Sequence, residues 1–246
     1  MSGDGKEFEI VREFEVDAAP GEVWDALTIG TGGWLWPLEY EPRVGGAAPF
    51  GGTVTRWEPP HRLTGRTDGP DGLPPGQSRN ELDQRIEPRD GGRRSWVRYA
   101  HSGAFTADWD MLYDAASRHT DFYLHTLRQY LTYFPGRLAV FASVHGPAAS
   151  TTPDAFEALG RELCLPADAA EGARLRVDAP GGPLDAILDF RTRCFIGLRT
   201  EDALYRFFGR NHFGGPVGVS VHDFAPHADA KHNELAWRDW LFALYG

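Results

Sequence analysis

Between Thr106 and Pro135 the chain reads TADWDMLYDAASRHTDFYLHTLRQYLTYFP, with no glycine or internal proline. At about 100° per residue, Leu112, Ala116, His119, Tyr123, Leu127, Tyr130 and Phe134 fall on one stripe. Asp114, Arg118, Asp121, His125, Arg128 and Thr132 fall opposite. Asp114/Arg118 and Asp121/His125 form i,i+4 pairs there. Pro135-Gly136 marks the end. The pattern predicts a long amphipathic helix that lays its stripe on a partner layer. Two tyrosines and a histidine among the aliphatics need polar partners or a wet cavity.

Upstream, EFEIVREFEVD over residues 7–17 alternates Phe8, Ile10, Phe14 and Val16 with glutamates. That is the pattern of a half-buried antiparallel strand, with Arg12 the exception on its apolar side. AAPGEVWDALT follows as a short helix, with Pro20 near its start and Glu22 in its first turn. Residues 42–102 predict strands near 43–48, 52–58, 61–67, 79–87 and 93–101, separated by Gly and Pro turns. In the fourth, Asn80, Leu82, Gln84 and Ile86 share a face, and two amides suit a cavity wall better than a dry core. After Arg137 come a strand and then a helix capped at Thr152-Pro153-Asp154. Strands follow at 175–178, 184–198 and 217–224, and a last helix after Asp229.

Composition narrows the function classes. With 41% hydrophobic residues the 246-residue chain can build a real core. Eight Trp and fifteen Phe are many, and aromatics line pockets as well as cores. A net charge of −10 with scattered basic residues argues against nucleic acid and against an anionic membrane surface. Cys164 and Cys194 lack metal or disulfide-framework spacing, and the polar N-terminus is no signal peptide, so a reduced cytoplasm is expected. No P-loop, dinucleotide or nucleophile-elbow fingerprint is present, and no cofactor is expected. His222, His227 and His232 span strand, loop and helix, a spacing that does not favour a metal.

The order of strand, short helix, five strands and long helix, with Ala19-Pro20 and Val23-Trp24 after the first strand, resembles the SRPBCC or START-like superfamily. Gly52 to Thr67, with Trp57-Glu58-Pro59-Pro60-His61-Arg62-Leu63, resembles the strand–Pro–strand hairpin of its heat-shock-protein ATPase-activator-like branch. Asp108-Trp109 resembles the pair that opens that branch's last helix, with Asp108 where Gly is usual. The resemblance covers about residues 7–134. It implies an α+β helix-grip fold, an antiparallel sheet wrapping a long helix over a cavity. Members bind apolar small molecules, and a minority are cyclases or hydrolases.

On this reading residues 1–136 form the ligand-binding domain. Residues 137–246 form a smaller α+β domain, a reduced copy of the first or an unrelated extension; Trp24-Asp25-Ala26-Leu27 echoes Phe156-Glu157-Ala158-Leu159. Its surplus aromatics, with Tyr205, Phe207, Phe208, Trp237 and Trp240 foremost, are expected to dock within the chain or across a homodimer. The candidate ligand-binding residues are Arg12, Trp34, Trp36, Trp57, Asn80, Gln84, His119 and Tyr123. For each a bland alternative stands beside the functional one. Arg12 could grip an anionic group or make a salt bridge, His119 could face a ligand or be a satisfied core residue, and the tryptophans could simply be core. The leading expectation is a protein that binds an apolar or aromatic small molecule. An enzyme of the same fold, with His119 as acid or base beside Tyr123, and a protein-interaction module are the alternatives.

Overall fold

The computed structural model describes residues 5–69 and 72–246. It divides into two compact units. Unit 1 runs to Thr31 and resumes over Leu35–Arg137; unit 2 comprises Gly32–Trp34 and Leu138–Gly246.

Unit 1 starts with strand β1 (Lys6–Val16) and helix α1 (Pro20–Leu27). Pro20 supplies the first helical φ, and the Glu22 carboxylate accepts the Ala19 amide at 2.7 Å. Strands β2 (Ala47–Ala48), β3 (Gly52–Glu58), β4 (Arg62–Asp68), β5 (Gln77–Arg89) and β6 (Arg94–Phe105) follow, then helix α2 (Trp109–Tyr133). The antiparallel sheet is ordered β1-β6-β5-β4-β3-β2. Asp108, at the position where the resemblance expects glycine, has φ +46°, a left-handed conformation that glycine and Asp tolerate.

Phe8, Ile10 and Phe105 pack under Trp109, Leu112, Tyr113 and Ala116, so this side of the sheet faces α2. Burying Ile10 alone contributes about 1.5–3 kcal/mol. Gly103 lets Phe8 lie flat across β6, since a Cβ there would sit 2.9 Å from the Phe8 ring, which stacks on Phe105 at 4.2 Å. The helix is buried more widely than its stripe: Phe122, Leu124 and Leu131 are also buried. Asp121, expected opposite the stripe with His125, instead reaches β1 and binds Arg12.

Unit 2 repeats the element order. Strand β7 (Val140–His145) and helix α3 (Ala155–Glu162) precede β8 (Arg174–Ala179), β9 (Gly182–Arg191), β10 (Phe195–Arg199), β11 (Ala203–Phe208) and β12 (Gly218–Asp223), and helix α4 (Ala230–Tyr245) closes it. Its sheet order, β7-β12-β11-β10-β9-β8, is that of unit 1 element for element. Both units therefore share the α+β helix-grip order. The 184–198 run expected as one strand is two, because Thr192 Oγ1 accepts the amides of Cys194 and Phe195 and turns the chain. Strand β11 was not expected. It is buried along nearly its whole length and lacks alternation. Tyr205 and Phe207, expected as docking groups, lie 5.8 and 5.4 Å from Trp237 inside the unit's own core.

Candidate functional site

Directly paired residues of an antiparallel sheet point to the same side. The α2-facing side of unit 1 therefore contains three rows across β1, β6, β5 and β4. They are Phe8, Gly103, Asn80 and Thr67; Ile10, His101, Leu82 and Gly65; and Arg12, Tyr99, Gln84 and Leu63. Asn80 and Gln84 thus stand where the strand pattern expected them, on the inner wall. Tyr99 and His101, not singled out in the sequence, stand between them and β1.

Asn80 Oδ1 accepts from Gln77 Nε2 at 3.1 Å and lies 2.7 Å from His101 Nε2. With the amide oxygen as acceptor, His101 carries its proton on Nε2, and Nδ1 keeps a lone pair. Burial lowers the His101 pKa to about 4, so the ring is neutral at physiological pH. Its edge meets the Phe8 ring at 5.0 Å.

One row along, polar atoms lack partners. Gln84 is buried, and its Oε1 accepts no hydrogen bond among the described residues. Desolvation pushes the Tyr99 phenol well above its ordinary value, with the phenols of Tyr40 and Tyr123 adding to the shift. Tyr40 is pushed up to about 12 by burial. Neither the Tyr40 nor the Tyr99 hydroxyl makes a side-chain hydrogen bond among the described residues. Yet both residues keep part of their accessible surface. Beside Tyr40, a void of about 10 Å³, room for about one water and not for a ligand, lies between Tyr40, Ala48, Pro49, Phe50, Gly65, Thr67, Asn80 and Leu82; neither Tyr99 nor Gln84 lines it.

The helix side adds aromatic rings. Tyr123 meets Trp36 edge-on at 5.5 Å and His119 at 5.9 Å, and Trp36 meets Phe50 at 6.2 Å. His119 Nδ1 lies 2.8 Å from the Ala115 carbonyl of its own helix. Trp36, Tyr123 and His119 are thus together.

The other candidates lie elsewhere. Arg12 shares the Tyr99–Gln84 row, but its guanidinium is engaged. Nε and Nη2 meet Asp121 at 2.6 and 3.2 Å, Nη2 meets Ser117 Oγ at 2.9 Å, and Nη1 meets the Val11 carbonyl at 3.0 Å. It ties β1 to α2. Trp34 is buried and belongs to unit 2. Trp57 is paired with Leu63, meets Trp24 edge-on at 5.0 Å and lines another cavity beside α1. Tyr130 donates to the Arg137 carbonyl at 3.0 Å, just past the helix end.

The equivalent side of unit 2 is dry. Its matching row reads Ala142, Val221, Tyr205 and Leu198, and its core is closed by Phe156, Leu159, Trp237 and Leu241 from the two helices. A buried charged pair of this unit, Arg206 and Asp189, contacts through Nη1 at 3.0 Å. A Cβ on Gly197 would lie 2.7 Å from Arg206 Nη1, so glycine is needed beside the pair.

No family model matches the chain, and no curated protein matches it. Among solved structures it is similar to CalU16 from Micromonospora echinospora, at 22% identity and TM-score 0.40 over 50% of this chain and 76% of that one. It is also similar to DynU16 of the dynemicin biosynthetic locus, at 17% identity and TM-score 0.41 over 96% of each chain. A third is the Aha1 dimer from Colwellia psychrerythraea, at 20% identity and TM-score 0.40 over 50% of this chain and 96% of that one. Similarity at this level identifies neither a ligand nor a reaction.

Proposed function

We propose that unit 1 is an SRPBCC-like module that binds a neutral, largely aromatic or apolar small molecule between its sheet and α2. The observation that carries this reading is the row Tyr99–Gln84. The buried carboxamide oxygen of Gln84, without a partner among the described residues, sits beside the partly accessible Tyr99 phenol on the side of the sheet that faces the helix. Buried polar groups in native proteins are nearly always paired, so the Gln84 oxygen on this wall calls for a guest that pairs it. A hydroxyl or amide donor on the guest would meet Gln84 Oε1, and an acceptor would meet the Tyr99 or Tyr40 hydroxyl. Trp36, Tyr123 and His119 supply the flat apolar side.

Binding is favoured over catalysis by the state of His101. Its Nδ1 lone pair is the natural base on this wall, but a pKa near 4 makes it a weak one at neutral pH. The neutral imidazole is better suited to accepting a hydrogen bond from the guest. In this reading unit 2 is a second copy of the same design whose helix-facing side has filled with Ala, Val, Leu and Phe.

Thermal denaturation of the full chain against a panel of neutral aromatic compounds tests the proposal. A ligand at 100 times its Kd adds about 2.7 kcal/mol of stability. A Tm rise that disappears in Gln84→Met supports it. A rise unchanged in that variant, or no rise across the panel, overturns it.

A further inference from the structure

Unit 1 carries a second cavity of about 530 Å³ beside α1. It is lined by Trp24, Asp25, Ile29, Glu39, Tyr40 and Trp57, among others. Its walls differ in kind from the inner wall described above. Trp24 and Trp57 meet with ring centroids 5.0 Å apart and planes at 78°, so two indoles form a corner. Tyr40 adds a third aromatic ring. Aromatic faces are electron-rich and attract cations, Trp most strongly.

The polar part of the lining is acidic. Asp25 and Glu39 both reach the cavity, and neither carboxylate makes an ion pair or side-chain hydrogen bond among the described residues. Arginines on neighbouring segments are already committed: Arg43 to Glu41 at 2.7 Å, Arg56 to Glu58 at 3.2 Å, and Arg62 to Asp83 at 2.7 Å. Ile29 lines the same cavity, and at 78% exposed it is an apolar lip facing solvent. An anion would meet two uncompensated carboxylates. A neutral apolar guest would desolvate them and give nothing back. A guest with one positive charge on an apolar body satisfies both the rings and the acids.

We propose that this cavity binds an organic monocation of the alkylated-ammonium class, held in the Trp24–Trp57 corner with Asp25 and Glu39 as counter-charges. The net charge of −10 favours the approach of such a ligand. The cavity shares Tyr40 with the lining of the inner void, and its other lining residues are distinct.

The test titrates the full chain with choline and with its uncharged isostere, 3,3-dimethylbutan-1-ol, by calorimetry and tryptophan fluorescence. Choline is expected to bind saturably and at least about tenfold more tightly than the alcohol. Asp25→Asn/Glu39→Gln changes two exposed carboxylates without touching the core, and should weaken choline about tenfold while leaving the Tm in place. Trp57→Leu should remove the signal. Gln84→Met should leave choline binding intact, which separates this site from the inner one. Equal binding of choline and the alcohol, no binding of choline, or unchanged affinity in the double-carboxylate variant would each overturn the proposal.

Discussion

The carboxamide oxygen of Asn80 lies 2.7 Å from Nε2 of His101, across adjacent strands of one sheet. Gln77 donates to the same oxygen, which fixes the amide's orientation and with it the histidine's tautomer. The Asn80 oxygen and the His101 Nε2–H are thereby paired inside unit 1 in the uncharged state. Protonating the imidazole would put a buried positive charge beside the Phe8 ring, and no carboxylate among the described residues offsets it.

Acid should therefore destabilise the protein in a defined window. The His101 pKa in the folded chain, lowered by burial to about 4, is below its unfolded value near 6.5. Between those values the unfolded state binds more protons, so stability is full above pH 6.5 and falls as pH drops through about 4. His222 in unit 2, lowered mainly by burial to about 3, acts in the same direction. The His101 shift alone is worth on the order of 3 kcal/mol across the window. Urea midpoints at pH 7 and pH 5 check this, and His101→Gln should flatten part of the difference.

Gln84→Met is expected to separate stability from binding. Removing a buried oxygen that has no partner costs the fold nothing and can add up to about 1 kcal/mol. Ligand binding at the inner wall should fall at least about tenfold. Denaturant midpoints and titration of the same variant give both numbers, and a loss of stability with binding intact contradicts the assignment.

His119→Leu should change binding more than stability. The ring is half-buried beside Tyr123, on the flat side proposed for the guest. A Tm drop worth more than about 2 kcal/mol with unchanged binding would make His119 a structural residue only.

In unit 2 the sharp cost is electrostatic. Asp189→Ala strands the buried Arg206 guanidinium beside Gly197 and should cost about 3–5 kcal/mol. Arg12→Ala removes a partly exposed pair with Asp121 and should cost at most about 1 kcal/mol. Chemical denaturation of both variants tests the contrast, which is one of burial.

How far the sequence revealed this depends on how many sides each element buries. Strand β1, buried on one side, shows Phe8, Ile10 and Val16 in alternation and was legible. Strand β11, with Leu204, Arg206, Phe207 and Phe208 all buried, shows no period and was missed. Helix α2 was legible in extent, but a single stripe could not reveal that Phe122, Leu124 and Leu131 are buried too. Of the inner wall, Asn80 and Gln84 were readable from amides at alternate positions. Tyr99 and His101 carry the same period-two signal with Ser95 and Val97 in β6, and that signal could have found them. Arg12 was visible as an oddity, but its partners are 105 and 109 residues away, and only folding shows them.

The central claim is that unit 1 holds a small molecule against the Tyr99–Gln84 row. A native mass spectrum of the purified full chain, beside that of Tyr99→Phe/Gln84→Met, tests it most directly. The account predicts a non-covalent adduct of small-molecule mass on the unaltered chain, released by gentle activation and absent from the double variant. A bare chain mass in both, before and after incubation with a cell extract, would contradict it.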